Sequence, residues 1–260
     1  MKRIVFKVGS SVLTETTDIA KERMLNLVSL IAEARKKYEV ILVSSGAVAA
    51  GYTAVQLNRN IPTSKKVLAS IGQPILMSSY KNKFDIFDVN ISQILLTEED
   101  FDSRVHTRIF QDIIDRTLKN DILPIVNEND ISTTPDQLFG DNDQLSAHVA
   151  HYTNADVLVI LSDIDGYYDK NPSEHKDAKL QKIVNEITDK ELNQDFTPNS
   201  EFATGGIVTK LKAAQYIMSK NRDMFLCSGY DLQGARDYLI DGVHNKGTLF
   251  TNKKETKKGK

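Results

Sequence analysis

Two polar clusters carry residue types suited to chemistry on a small charged substrate. Asn127-Glu128-Asn129-Asp130 directly follows the apolar run Leu123-Pro124-Ile125-Val126. Gly140-Asp141-Asn142-Asp143 precedes a segment with Leu145 and Val149 at helical spacing. An apolar run that breaks into amides and carboxylates predicts a buried strand delivering its polar end to the rim of a sheet. Glycine followed by Asx residues predicts a turn that caps a new helix. Any one of these Asx residues is explained equally well as a turn or cap residue. Two such clusters joined by one connection instead predict a ligand site, because open α/β sheets bind ligands where strands end.

Four further clusters fall at predicted strand ends or helix starts. They are Lys7-Val8-Gly9-Ser10, Ser45-Gly46-Ala47, Ser162-Asp163 and Thr204-Gly205-Gly206-Ile207-Val208-Thr209-Lys210. Glycine beside Lys7 lets backbone N–H groups approach an anion with no Cβ in the way. Gly205-Gly206 ahead of a helix offers the same, with the positive end of the helix behind it. Lys210 then sits in the first turns of that helix, within reach of a phosphate. Taken alone, Lys7 reads as a solvated strand-end lysine and the glycine pair as a plain loop. Combined with amide and acidic partners, they point to phosphoryl chemistry.

The familiar alternatives are missing. The chain has no G-x-x-x-x-G-K-[ST] and no G-x-G-x-x-G after a strand. Its five histidines, at 106, 148, 151, 175 and 244, make no H-E-x-x-H pattern, and His148 and His151 read as structural or exposed. Asp141-Asn142-Asp143 lacks the alternate spacing and distal Glu of a calcium loop, so no protein metal site is expected.

The elements that must position these residues follow from hydrophobic periodicity. Ile4–Val8, Val40–Val43, Val89–Leu96, Ile122–Val126 and Asp156–Leu161 read as strands, with Met224–Cys227 and Gly247–Phe250 as late ones. Helices are predicted from a cap at Asp18 to Lys37, from Ala47, over about Ser64–Phe87 with a break near Gly72-Gln73-Pro74, over Ser103–Lys119, from near Asp141, and up to about Lys220. Strands alternating with helices predict a three-layer α/β/α fold around a mostly parallel sheet covered on both faces. With 260 residues and no linker or repeat, residues 1–250 read as one domain and 251–260 as a solvated, disordered lysine-rich tail.

Net charge is −2, and the tail alone carries five Lys and one Glu, leaving about −6 on residues 1–250. That balance argues against a nucleic-acid surface. The first apolar run is broken at Lys7 and Gly9, too short for a signal peptide or membrane span. Cys227 is the only cysteine, which excludes an intrachain disulfide and suits the reducing cytoplasm.

Taken together, and in this order along nearly the whole chain, these motifs resemble the amino acid kinase family. The matching pieces are Lys7 to Leu13, Ser44 to Gly51, Asn127 to Asp130, Gly140 to Asp143 and Thr204 to Lys210. The likeness is to members that use ATP and Mg²⁺ to phosphorylate the side-chain carboxylate of L-glutamate at the entry to proline synthesis. It implies that Lys7 contacts the transferring phosphate with Gly9 beside it, that Lys210 stabilises it from the nucleotide side, and that Asp143 holds both lysines. It further implies glutamate contacts from Ser45, Gly46, Ala47, Asn127, Asp130 and Asn142. The nucleotide would meet Ser162, Asp163, Thr204, Gly205, Gly206, Ile207, Val208, Thr209 and Lys210. Homo-oligomers and proline as a feedback inhibitor are implied as well.

The sequence also departs from the family. Many members continue into a PUA domain where this sequence stops. Glu201-Phe202-Ala203 replaces a more glycine-rich segment, and Ile131–Phe139 lies where relatives vary. The rival readings are a sister kinase acting on acetylglutamate, aspartate, carbamate or UMP, and a non-catalytic sensor. Asp130 disfavours acetylglutamate, whose amide needs no anionic partner, and the pair Lys7 and Lys210 disfavours a sensor.

Overall fold

The computed structural model describes residues 1–15, 18–133, 142–172, 174–192 and 206–253. β1 (Lys2–Val8) leads through the short α1 (Ser10–Leu13) to α2 (Lys21–Ala34) and β2 (Tyr38–Ser44). α3 (Ala47–Ala54) and α4 (Pro62–Phe84) precede β3 (Asn90–Leu96). A short α5 (Glu99–Asp102) and α6 (Arg104–Lys119) lead to β4 (Ile122–Glu128), then α7 (Asn142–Tyr152) and β5 (Val157–Ser162). The remainder is β6 (Ile183–Val184), α8 (Asp189–Leu192), α9 (Ile207–Ser219), β7 (Asp223–Ser228), α10 (Gln233–Arg236) and β8 (Thr248–Phe250).

The strands form one sheet in the order β3-β4-β2-β1-β5-β7-β8-β6, parallel throughout except where β8 runs antiparallel to β7. Helices cover both faces, giving the predicted three-layer α/β/α sandwich. Ile4, Phe6 and Val8 of β1 pack with Leu27 and Ile31 of α2 and Tyr80 and Phe84 of α4. Val5 packs on the opposite face, with Leu145 and Val149 of α7 and Leu211 and Ala214 of α9. Side chains alternate along a strand, so Lys7 shares the face of Val5 and is directed toward α7 and α9. Burial on both faces explains why β1, β2 and β5 read as continuous apolar runs.

Several predicted boundaries move. The N-cap of α2 is Ala20, not Asp18, and the helix ends at Ala34, not Lys37. The Asp18 side chain instead accepts a hydrogen bond from the Ile19 N–H, closing a local turn. α4 runs unbroken through Gly72-Gln73-Pro74, where an interruption was expected. Pro74 removes one backbone donor, but the contact between α3 and α4 holds the helix across that gap. That contact is backbone-close: a Cβ on Gly51 would lie 1.9 Å from the Leu68 carbonyl oxygen, and one on Gly72 1.8 Å from that of Ala47. The two-residue β6 is too short to show any periodicity and is recognisable only by its pairing with β8.

No helix among the described residues is long and apolar enough to cross a membrane. The lysine tail from 254 onward lies outside the described residues.

Because the obstruction at Gly72 is backbone, it cannot be relieved by a rotamer change. Gly72→Ala is expected to destabilise by about 3 kcal/mol, lowering Tm by roughly 6–12 °C. Wild-type melting of this variant in calorimetry would show that α3 and α4 do not pack this closely.

Candidate active site

Parallel strands bring their C-terminal ends to one rim. The Ser45 N–H donates to the Val8 carbonyl (3.1 Å) and the Gly9 N–H to that of Leu161 (3.2 Å), so the turns after β1, β2 and β5 are joined. Gly46 has φ +106°, a left-handed conformation that suits glycine, and it opens α3 at Ala47.

Asp143, in the first turn of α7, has no solvent exposure. One carboxylate oxygen lies 2.5 Å from Lys7 Nζ. The other lies 3.2 Å from Lys210 Nζ and accepts a hydrogen bond from Thr209 Oγ1 at 3.0 Å. Lys7 is 6% exposed and Lys210 4%, which overturns the reading of Lys7 as a solvated strand-end lysine. Burial alone would raise the Asp143 carboxyl. The two ammonium groups, Lys7 ahead of Lys210, more than reverse that and hold it well below the usual carboxylate range. The result is a fixed anion gripping two cations, one from the β1 end and one from α9.

A second network is built of amides. Asn142 Nδ2 donates to Ser45 Oγ (2.8 Å) and to Asn127 Oδ1 (3.0 Å). Asn127 Nδ2 donates in turn to Gln73 Oε1 of α4 (3.0 Å). Ser44 and Tyr80 hydrogen-bond beneath it at 2.8 Å. Asp130 lies three residues beyond Asn127 in the turn after β4. Burial pushes its carboxyl up to about 6, against the opposing effects of its own backbone and of Lys66. An ionised carboxylate disfavoured in this way gains from an incoming cation.

On the other side of the lysines, Ser162 Oγ donates to Asp163 Oδ1 (2.8 Å) at the end of β5. Gly206 precedes α9, and Ile207, Val208, Thr209 and Lys210 form its first turn, with the Gly206 carbonyl as the alternative acceptor for the Thr209 hydroxyl (2.9 Å). Gln144 Nε2 donates to the Thr209 carbonyl, tying α7 to α9 (3.2 Å). Thr204, Gly205, Gly140 and Asp141 lie outside the described residues, as do 201–203 and 134–139.

Three participants carried no motif signal. Gln73, Gln144 and Lys66 sit inside helices, and only the folded contacts reveal them. His148 packs against Phe101, Tyr152 and Tyr216, where burial lowers its pKa, consistent with a structural role. Among the described residues no group of three or more His, Cys, Asp or Glu side chains is placed to hold a metal ion.

The raised Asp130 carboxyl has a stability consequence. Folding favours its protonated form, so the penalty is absent below the unfolded value near 4 and complete above about 6. Asp130→Asn is therefore expected to raise the Tm of the ligand-free protein by a few degrees at pH 7.5, with the gain shrinking toward pH 4.5. A variant less stable at pH 7.5 would mark Asp130 as a turn cap.

A model described as the amino acid kinase family matches residues 2–228. The chain is 49% identical over 255 residues to a glutamate 5-kinase of Wolinella succinogenes, covering 96% of this chain and 98% of that one. It is 46% identical over 250 residues to a glutamate 5-kinase of Leishmania donovani, covering 96% and 95%. Among solved structures, carbamate kinase from Giardia lamblia bound to AMP-PNP superposes with a TM-score of 0.66 at 18% identity, covering 97% of this chain and 99% of that one. The product complex of T. acidophilum isopentenyl phosphate kinase gives 0.65 at 16% identity, covering 95% and 99%. These last two likenesses concern the fold alone. The chain belongs to the amino acid kinase family.

Proposed function

We propose that the protein transfers the γ-phosphoryl group of ATP to the side-chain carboxylate of L-glutamate, giving glutamyl 5-phosphate and ADP, the first step of proline biosynthesis. The observation that carries this reading is the buried Asp143 holding Lys7 and Lys210 together at the sheet rim. Identity of 49% to a glutamate 5-kinase supports the choice of substrate.

The chemistry needs no general base. A glutamate side chain with a pKa of about 4.3 is already ionised at neutral pH. The obstacle is repulsion between that carboxylate and the phosphates of ATP. Two ammonium groups held in place before substrate arrives offset it without reorganisation. In this reading Lys7 faces the transferring phosphoryl group from the acceptor side and Lys210 from the nucleotide side. Asp143 is the positioning anion between them. Ser45, Gly46, Ala47, Asn127 and Asn142 surround glutamate, and Asp130 takes its α-ammonium. Gly9, Ser162, Asp163 and the loop from Thr204 through Gly205, Gly206, Ile207, Val208 and Thr209 take the nucleotide. Mg²⁺ enters as part of the substrate, carried on the ATP phosphates as its reluctance to dehydrate suggests.

In this reading residues 1–250 are one kinase domain of a cytoplasmic enzyme, with proline as its feedback inhibitor. Val105, Ile109 and Ile113 recur every four residues on α6 and are exposed, which supports a homo-oligomer.

ATP-dependent hydroxamate formation with glutamate, acetylglutamate and aspartate tests the substrate. Turnover confined to glutamate is expected, and preference for another acceptor would overturn the reading. Lys7→Ala and Lys210→Ala should each lower kcat roughly 10²-fold or more, with far smaller changes in the KM for glutamate. Near-normal kcat in either variant would remove that lysine from the mechanism.

A further inference from the structure

Lys66 belongs to none of the motifs at the sheet rim, yet it reaches the segment that carries Asp130. From the second turn of α4 its Nζ donates to the carbonyl oxygens of Ile131 (2.9 Å) and Thr133 (2.5 Å). That turn is also closed on itself, since the Asn129 carbonyl accepts from the Ser132 and Thr133 N–H groups. Its strand side is fixed where the Asn129 N–H donates to the Leu96 carbonyl at 2.7 Å. Its helix side is fixed by Lys66.

The spacing on α4 gives this contact meaning. Gln73 lies seven residues after Lys66, two turns further along the same face. Gln73 accepts from Asn127, and Lys66 donates to Ile131 and Thr133. One face of one helix therefore splints both ends of the stretch from Asn127 to Thr133, with Asp130 between the two attachments. α4 is a firm support because Gly72 sets it backbone-close against α3.

We propose that Lys66 is a positioning residue for substrate recognition, clamping the turn after β4 so that Asp130 meets the α-ammonium of the amino-acid substrate. The inference rests on the functional reading above and adds a residue outside the motifs to it. Both hydrogen bonds go to backbone carbonyls rather than to the Asp130 carboxylate, so the lysine orients the turn without occupying the acceptor. Its charge also favours the ionised form of Asp130. That charge opposes the effect of burial on the same carboxyl. An aliphatic replacement should therefore loosen the turn and raise the Asp130 carboxyl further.

The test is steady-state kinetics of wild type, Lys66→Met and Lys66→Arg from pH 5 to 8, with glutamate and with glutarate, which lacks the α-amino group. Lys66→Met is expected to raise the KM for glutamate roughly tenfold, as loss of a charge-assisted clamp implies. The KM for ATP should stay within about twofold, because the residues assigned to the nucleotide lie elsewhere. The acidic limb of kcat/KM for glutamate should move to higher pH, glutarate should be used as by wild type, and Lys66→Arg should restore most of the loss. An unchanged KM for glutamate in Lys66→Met overturns the clamp alone. So does an equal loss with glutamate and glutarate accompanied by a lower Tm, which is a folding defect. Failure of the wild type to phosphorylate glutamate overturns the functional reading, and the clamp with it.

Discussion

The site depends on one carboxylate shared by two ammonium groups. Asp143 is wholly buried, and a lone charge there would be strongly disfavoured. Lys7 and Lys210 are nearly as buried, and without Asp143 they would leave two cations facing each other. Each group is therefore tolerable only in the presence of the other two. Breaking a buried ionic group by removing one partner typically costs about 3–5 kcal/mol. That mutual dependence fixes the lysines before any substrate arrives, which is the condition for electrostatic catalysis.

The rest of the fold delivers those three residues. Lys7 reaches α7 because alternation along β1 puts it on the face of Val5, while Ile4, Phe6 and Val8 bury against α2 and α4. Asp143 is placed by the burial of Leu145 and Val149, two and six residues later in α7. Lys210 is carried by the first turn of α9, whose Leu211 and Ala214 join the same core. Gln144 joins α7 to α9, so the two helices cannot drift apart without losing a hydrogen bond. On the opposite face, close approach of α3 and α4 sets the amide network through Gln73.

Much of this was legible in the sequence for a physical reason. Strands buried on both faces leave long apolar runs, and the polar residues that end them are the rim residues. Lys7, Ser45, Asn127 and Ser162 each stand at the end of such a run, in or just after β1, β2, β4 and β5. Contacts made from helix interiors were not legible, because Gln73, Gln144 and Lys66 look like ordinary surface residues until the helices pack. The break expected at Gly72-Gln73-Pro74 had the same cause: local propensity argued against a continuous helix, and the contact with α3 overrode it. The bland reading of Lys7 as solvated failed because a partner 136 residues away in the chain is invisible to local pattern.

The central claim is that Asp143 acts as a permanent anion that holds two lysines, and never as a proton acceptor. The most direct test is the pH dependence of kcat/KM for glutamate in wild type and Asp143→Asn, from pH 5 to 9. The account predicts a large fall in rate for the variant at every pH, with the acidic limb near pH 6 from Asp130 present in both proteins. It would be contradicted by a variant of near-normal rate, or by a wild-type limb that disappears in Asp143→Asn.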